Sequence, residues 1–554
     1  MDSEGRSRRT GKFVNGSESH WWRGAVVYQV YPRSFQDSND DGIGDLKGIR
    51  SRLQYIADLG VDAVWISPFF RSPMKDFGYD VADYLDVDPR FGTLDDFKEL
   101  LAACHEMDIR VLIDLVISHT SDRHEWFVES RSSRTNRRAD WYVWADAKPD
   151  GTPPNNWLSV FGGPAWTWDS MRGQYYLHNF LRSQPDLNFH SPEVRKQALD
   201  VADFWLDLGV DGFRLDTVNF YFCDSELRDN PVVSKEHRNS SIAPSVNPYN
   251  MQSHVHSKNR PENLQFLEEF RQLLDRYENR TSIGEVGDAQ KGLAISAEYT
   301  KGESRLHSCY SFELLSGDTI SARRLAEVIS RFEEIAPDGW ACWAFSNHDV
   351  VRHATRWQLD RKQQELLIMA LVCLRGPVCV FQGEELGLAQ ANLDFDAIRD
   401  PYGKEFWPEY TGRDGCRTPM VWSADERHGG FSNADPWLPV PAEHLPLSVK
   451  ESEHDASSLL HAYRRAIRMR RRFTELRSGT LERVRAEENA LTFLRRTGST
   501  ALYCAFNLQD TPTIVTMPSG NWLSVEGSGG NDGARHLQGS CRLEEWGTLV
   551  ARSN

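Results

Sequence analysis

The chain has 554 residues, with 64 basic against 80 acidic side chains and a formal net charge of −16; that length exceeds one small core and suits an α/β barrel with additions. Basic residues are scattered without a run, which argues against nucleic acid or an anionic membrane surface as partner and fits a neutral substrate. No apolar run approaches a membrane span, no hydrophobic stretch follows Arg8-Arg9 as an export signal requires, and the nine cysteines are odd in number without CxxC spacing, so the expectation is a cytoplasmic, reducing location with neither a zinc site nor a disulfide framework.

In chain order, residues 1–20 read as a polar, disordered lead-in. From Trp22 a strand–loop–helix pattern repeats. Residues 26–31 and 62–67 form the first two strands, with a helix near 47–59 between them. Thr93 to Asp96 reads as an N-cap with an acidic third position, and Phe97, Leu100, Leu101 and Cys104 follow at helical spacing. The third strand, 110–116, is almost continuously apolar, as a strand covered on both faces must be. Residues 120–189 then break the pattern: they are rich in Trp, Asn, Pro and Gly, show no clear helix, and read as an inserted subdomain lining a site. A helix near 192–208 leads into a fourth strand, 210–216. Further strands fit 281–286, 308–314, 341–346 and 378–382, which makes eight of one type and predicts a closed (β/α)8 TIM barrel over 21–119 and 190–475. An irregular insert covers about 388–450, a long helix about 456–474, and alternating segments over 476–554 predict a small antiparallel β domain.

A barrel of this kind carries its functional residues at the C-terminal ends of its strands, and polar groups recur there. Strand three ends in Ser118-His119, strand four in Arg214 and Asp216, strand five in Glu285, strand seven in Asn347-His348-Asp349. Arg214 and Asp216 are two residues apart on a strand and project to one side, where the guanidinium can hold the carboxylate ionised. Three carboxylates, two histidines and an arginine suit glycoside chemistry: one ionised carboxylate attacks the anomeric carbon, one protonated carboxyl donates to the leaving oxygen, and the rest hold sugar hydroxyls. In the Asp37–Asp45 stretch, side-chain oxygens fall at Asp37, Asn39, Asp41 and Asp45, with Gly42 at the sixth position and the Ile43 carbonyl at the seventh. This is calcium-loop spacing, except that position twelve is Gly48.

The stretches VVYQVYPRSFQDSNDDGIGDLKGI, GYDVADY, DLVISHTSD, QPDLN, GFRLDT, IGEVGD, SNHD and GRDGCRTPMVW, in this order, resemble the α-amylase family of glycoside hydrolases, in its α-glucosidase and oligo-1,6-glucosidase branch. The resemblance runs from Trp22 to at least Trp422. It implies a retaining double displacement, with Asp216 as nucleophile, Glu285 as general acid/base and Asp349 as the orienting third carboxylate. It implies His119, Arg214 and His348 as contacts of the cleaved sugar, Asp76, Tyr79 and Arg413 as the closed end of the pocket, Phe161 and Phe180 as flanking aromatics, and a structural Ca²⁺ or Mg²⁺ in the Asp37–Asp45 loop. It also implies that Thr217 goes with α-1,4 cleavage, where Val would go with α-1,6. The expectation is an exo-acting α-glucosidase on short substrates such as maltose, with transglucosylation. The alternatives are a glucosyltransferase or sucrose-isomerising enzyme and a non-catalytic transporter-associated relative, the last disfavoured because all three carboxylates are kept. No RLDRD-type loop stands between Lys301 and Asp338, which lowers the sucrose-isomerising option, and no evident basic cluster supports trehalose-phosphate hydrolysis.

Overall fold

Short strands buried on both faces are the mark of a parallel sheet covered by helices, and seven strands pair in that way here. The computed structural model describes residues 18–525, 527 and 535–553; the expected lead-in lies outside the described residues up to residue 17. The strands are β1 (Val26–Val30), β2 (Ala63–Ile66), β3 (Arg110–Leu115), β4 (Gly212–Leu215), β5 (Thr281–Val286), β6 (Ser308–Ser311) and β7 (Val378–Phe381), in the spatial order β6-β5-β4-β3-β2-β1-β7. Every neighbouring pair is parallel. At the start of β4, Gly212 has φ 153°, and a Cβ there would lie 2.0 Å from the Thr281 carbonyl oxygen, so a glycine is what lets β5 approach.

The expected strand 341–346 is not a regular strand. It makes two parallel bridges, Cys309 to Ala341 and Trp343 to Val378, which join β6 to β7 and close the ring. Its ladder ends where Trp343 spends both backbone groups on the β7 side, accepting from Cys379 N and donating to Pro377 O. The expected sixth strand also stops early, at Ser311, because 312–315 turn. The helix expected near 47–59 is two, α1 (Leu46–Ser51) and α2 (Leu53–Leu59), parted at Arg52, whose φ −106° and ψ 11° are not helical. Thr93 and Asp96 form the expected capping box at the start of α3 (Leu94–Glu106).

Between β3 and the helix Pro192–Leu208, the inserted stretch carries a three-stranded antiparallel sheet and, against expectation, one helix, Glu125–Ser132. Trp126, Phe127 and Ser130 are its buried positions, and the short amphipathic face was hidden among aromatics and polar residues. A second irregular stretch, not expected, spans 221–262 between β4 and the helix Asn263–Leu274, with only two short 3-10 turns. After the helix Leu459–Arg472 the C-terminal strands form a six-stranded antiparallel sheet and a two-stranded one. Buried Arg495 ties that sheet to the barrel by donating to the Cys373 and Leu374 carbonyls at 2.8 and 2.7 Å. No helix among the described residues is long and apolar enough to cross a membrane.

Candidate active site

The site is built around Arg214. The alternation of β4 turns Arg214 and Asp216 to one side, into the ring, where Arg214 has no exposed surface. A guanidinium so placed needs full compensation, and three carboxylates supply it: Nη1 bonds Asp216 at 2.6 Å and Asp114 at 2.8 Å, and Nη2 pairs with Glu285 at 2.7 Å. Nε and Nη2 also donate to the Tyr310 hydroxyl at 3.1 and 2.8 Å, and the Trp65 ring lies 4.9 Å from the guanidinium carbon. Sequence reasoning missed Asp114 and Tyr310. An aspartate inside the apolar run Arg110–Leu115 was a legible signal, since a buried strand has no use for a lone carboxylate.

Thr217 departs from the β-branched strand-end residue that propensity suggests. It lies beyond β4 with φ 40° and ψ 47°, a left-handed conformation that is costly for a β-branched side chain and is found where function demands it. The strained turn points its N–H at Glu285 Oε2, 3.0 Å away, while its hydroxyl lies 3.2 Å from Asp216 Oδ2 and 3.1 Å from Ser118 Oγ. One residue thus touches both carboxylates. Glu285 further accepts from the Tyr310 hydroxyl at 3.1 Å.

The third carboxylate sits across the pocket. Asp349 accepts from Arg417 at 2.9 Å and Arg413 at 3.2 Å, with His348 Nε2 at 3.1 Å. His348 is locked between Gln29, 2.7 Å from its Nδ1, and the Tyr79 hydroxyl, and the Tyr79 ring stacks on it at 5.3 Å. Asp76 and Arg413 do pair, at 2.8 Å, and Asp400 completes the arginine's shell at 2.8 Å. His119 lies 2.9 Å from the Tyr79 carbonyl and 3.2 Å from Gln184 Nε2, which also donates to Asp76 at 3.0 Å. Phe161 lies under Arg413, 4.9 Å from its guanidinium carbon, and packs edge-on against Phe180 at 5.8 Å. Asp76, Tyr79, His119, Phe161, Phe180, Thr217 and Arg413 therefore line one space, whereas Arg214 and His348, expected as sugar contacts, have no exposed surface and lie behind the carboxylates they hold. Gln184 and Tyr402 join the lining, and Arg417 and Asp400 support it from behind, without having been singled out; Gln184 stood in the QPDLN stretch and its role was available there.

Residues 29–479 match the family described as alpha amylase, catalytic domain. The chain belongs to that family. It is 56% identical over 536 residues to a "probable alpha-glucosidase" of Rhizobium meliloti (strain 1021), covering 96% of this chain and 97% of the relative. It is 35% identical to an oligo-1,6-glucosidase of Heyndrickxia coagulans, covering 92% and 96%. The crystal structure of an alpha-glucosyl transfer enzyme superposes with a TM-score of 0.92 at 49% identity, covering 96% and 99%.

In this alpha-amylase-family barrel the carboxylates open on a cavity of about 790 Å³. Its inner end is lined by Asp76, Tyr79, His119, Asp216 and Arg413. Buried Phe220, Ala243 and Gly287 line its wall, and the more exposed Asp288, Ala289 and Val350 lie toward its mouth. The unexpected irregular stretch supplies Asn239 to Ser245 of that mouth. Nothing in its polar, aperiodic sequence signals such a place, because a loop's position depends on the barrel that carries it.

Burial pushes the Asp216 and Glu285 carboxyls up to about 7; Arg214 draws each back, and neighbouring carboxylates push each further. The Asp216 carboxylate is among the groups that raise Glu285, which favours the proton on Glu285 once Asp216 has ionised. Burial raises Asp349 too, but His348, Arg413, Arg417 and Arg214 outweigh it and hold that carboxyl below the ordinary range. Burial lowers His119 to about 4 and His348 well below its usual value, so both imidazoles are neutral partners.

Proposed function

We propose that the chain is a retaining, exo-acting α-glucosidase of short α-glucosides, α-1,4-preferring and cytoplasmic. The observation that carries this reading is Arg214 bonding Asp216 and Glu285 with one guanidinium. A contact shared through one guanidinium supports the closer spacing, about 5–5.5 Å, that goes with retention over the wider spacing of inversion. Ionised Asp216 attacks the anomeric carbon while Glu285 gives its proton to the departing glycosidic oxygen, leaving a glucosyl ester on Asp216. Glu285, now ionised, takes a proton from water as the water oxygen attacks the same carbon, and glucose leaves with its starting configuration. Asp349, with His348, Arg413 and Arg417 holding it in place, accepts from ring hydroxyls as positive charge develops. The Asp76–Arg413 pair closes the inner end, which limits release to one glucose per cut. Nine free cysteines, eight of them buried, support a reducing compartment.

The test is a panel of maltose, isomaltose, sucrose and trehalose, with products followed over time; absence of glucose release from all four would overturn the reading. Because Glu285 must begin protonated and its carboxyl lies near 7, kcat/KM is expected to fall as pH rises through about 7. A basic limb starting only above about 9, where a tyrosine or lysine rather than a carboxyl would titrate, contradicts it.

Thr217 carries the linkage preference. Its hydroxyl is already shared between Ser118 and Asp216, so the Thr217→Val change removes a donor to the nucleophile and places a methyl at the edge of the leaving-sugar site. We expect maltose to be favoured over isomaltose in the wild type, and a shift of about tenfold toward isomaltose in the variant. Equal kcat/KM on both sugars in the wild type would refute the role given to Thr217 alone. A second reading, delivery of the glucosyl group to a sugar or alcohol in place of water, is supported by the 49% identity to an alpha-glucosyl transfer enzyme.

A structural Ca²⁺ or Mg²⁺ belongs to the same proposal. Asp37 accepts from the backbone N–H groups of Asn39, Asp40 and Gly42, Asn39 from that of Asp41, and Asp41 from that of Ile43, so successive oxygen side chains curl around Gly42. No Lys, Arg or His among the described residues pairs with Asp37, Asp40, Asp41 or Asp45, which leaves the loop's negative charge for a cation. Asp45, expected as a ligand, instead accepts from Ser38 and caps α1 through Gly48 N. Among the described residues no three His, Cys, Asp or Glu side chains close on one point, so the holders would be Asp37, Asn39, Asp41 and the Ile43 carbonyl with water. Adding either ion at about a hundred times its Kd should stabilise the fold by roughly 2.7 kcal/mol, seen as a higher melting temperature lost on chelation, with the rate per folded molecule unchanged. An unmoved melting temperature with both ions would reject the site.

A further inference from the structure

The turn that follows Glu285 is gripped from below by a buried cation that the reaction as described does not use. Lys258 is 2% exposed, and its Nζ donates to the Gly287 carbonyl at 2.7 Å and lies 3.6 Å from Asp288. The ammonium sits between two rings, 4.9 Å from Phe220 and 5.5 Å from Tyr249. Asn259 beside it, at φ 59°, donates to Asp288 at 2.6 Å and, through its backbone N–H, to the Asn219 carbonyl at 2.8 Å. Buried Asn219 closes the circuit: its Oδ1 accepts from Gly287 N at 3.0 Å, and its Nδ2 donates to the Gly287 carbonyl at 3.2 Å and to Asn259 Oδ1 at 2.6 Å.

These contacts bind three separate stretches into one unit. Asn219 is three residues after Asp216, Gly287 two residues after Glu285, and Lys258-Asn259 lie near the end of the irregular stretch after β4. An ammonium is costly to bury and an apolar side chain of similar volume would fill the same space; what the lysine adds is a positive charge that bonds the Gly287 carbonyl, beside the weaker Asn219 bond, and faces Asp288 at once. Resting on the reading of Glu285 as acid/base, we propose that Lys258, supported by Asn219 and Asn259, is a positioning residue that sets the Glu285 carboxyl against the leaving oxygen and fixes the Phe220–Gly287 wall of the cavity beside it.

A residue that only stabilises the fold would affect all substrates alike. A residue that positions the acid would not, because an aryl glucoside leaves without a proton and an anionic nucleophile attacks without a base. The experiment uses the full chain with Lys258→Met and Asn259→Ala, beside Glu285→Gln, and compares kcat/KM on maltose and on an aryl α-glucoside, and kcat on the aryl glucoside with and without azide. In both variants the loss on maltose is expected to exceed the loss on the aryl glucoside by about tenfold, azide should speed aryl glucoside turnover as it does not in the wild type, and the melting temperature should stay near that of the wild type. Should Lys258→Met not fold, Asn259→Ala, which keeps the lysine and removes the Asp288 bond, carries the test. Equal losses on both substrates, or none, with azide inert while Glu285→Gln shows the split, overturn the proposal alone. If Glu285→Gln itself shows no split, the acid/base assignment falls and this proposal with it.

Discussion

Asp216→Asn is expected to fold and to lose turnover by about a thousandfold or more, the scale of loss when a nucleophile is removed. The amide matches the carboxylate in shape, and Arg214 keeps Asp114 and Glu285 as partners, so the buried guanidinium is not left without a counter-charge. What disappears is the oxygen that forms the glucosyl ester. A second effect has a defined sign. The Asp216 carboxylate is among the groups that raise Glu285, so in the variant the Glu285 carboxyl titrates lower. Any residual rate should therefore decline at a lower pH than in the wild type. Residual activity above about a hundredth, measured on an aryl α-glucoside with circular dichroism to confirm folding, would remove Asp216 from its role.

Glu285→Gln should separate substrates instead of silencing them all. The amide holds no proton to give, so maltose is expected to lose about a hundredfold or more in kcat/KM, within the usual range for removing an acid catalyst, while an aryl α-glucoside keeps most of its first-step rate. The second step needs a base and should also slow, so that the glucosyl enzyme accumulates. The Thr217 N–H and the Tyr310 hydroxyl bond different oxygens of Glu285, Oε2 and Oε1; the amide oxygen can keep the Thr217 bond while the amide nitrogen faces the Tyr310 hydroxyl, whose oxygen can accept, which keeps the side chain in place. Equal losses on the two substrates would count against Glu285 as the acid.

What the sequence disclosed and what it hid follow from the range of the forces involved. The strands β1 to β5 and β7 were legible because each is a short apolar run between polar breaks, and covering both faces of such a run leaves few arrangements. The segment 341–346 has the same composition, yet forms two bridges; how long a ladder runs depends on neighbours that composition does not report. The irregular stretch 221–262 was invisible as a unit, since loops have no periodicity, and with it went Asn239 to Ser245 at the pocket mouth. At the site, Arg214, Asp216, Glu285 and Asp349 were legible because charge at the end of an apolar strand demands a reason. Asp114 was equally legible, as a lone carboxylate inside an apolar run, and went unread; Tyr310 was not, although Arg214 depends on it, because a hydroxyl partner deep in the ring shows itself only through the distance to what it holds. Thr217 was read for its side chain, whereas its backbone, at φ 40°, does as much.

The most direct measurement is to mix Glu285→Gln with an aryl α-glucoside, stop the reaction in acid within the first turnover, digest, and weigh the peptides. The account predicts one glucosyl residue on the peptide containing Asp216, released by azide as a glucosyl azide of the α configuration. A glucosyl group on any other carboxylate, or no adduct with a β-configured product, would contradict a double displacement through Asp216.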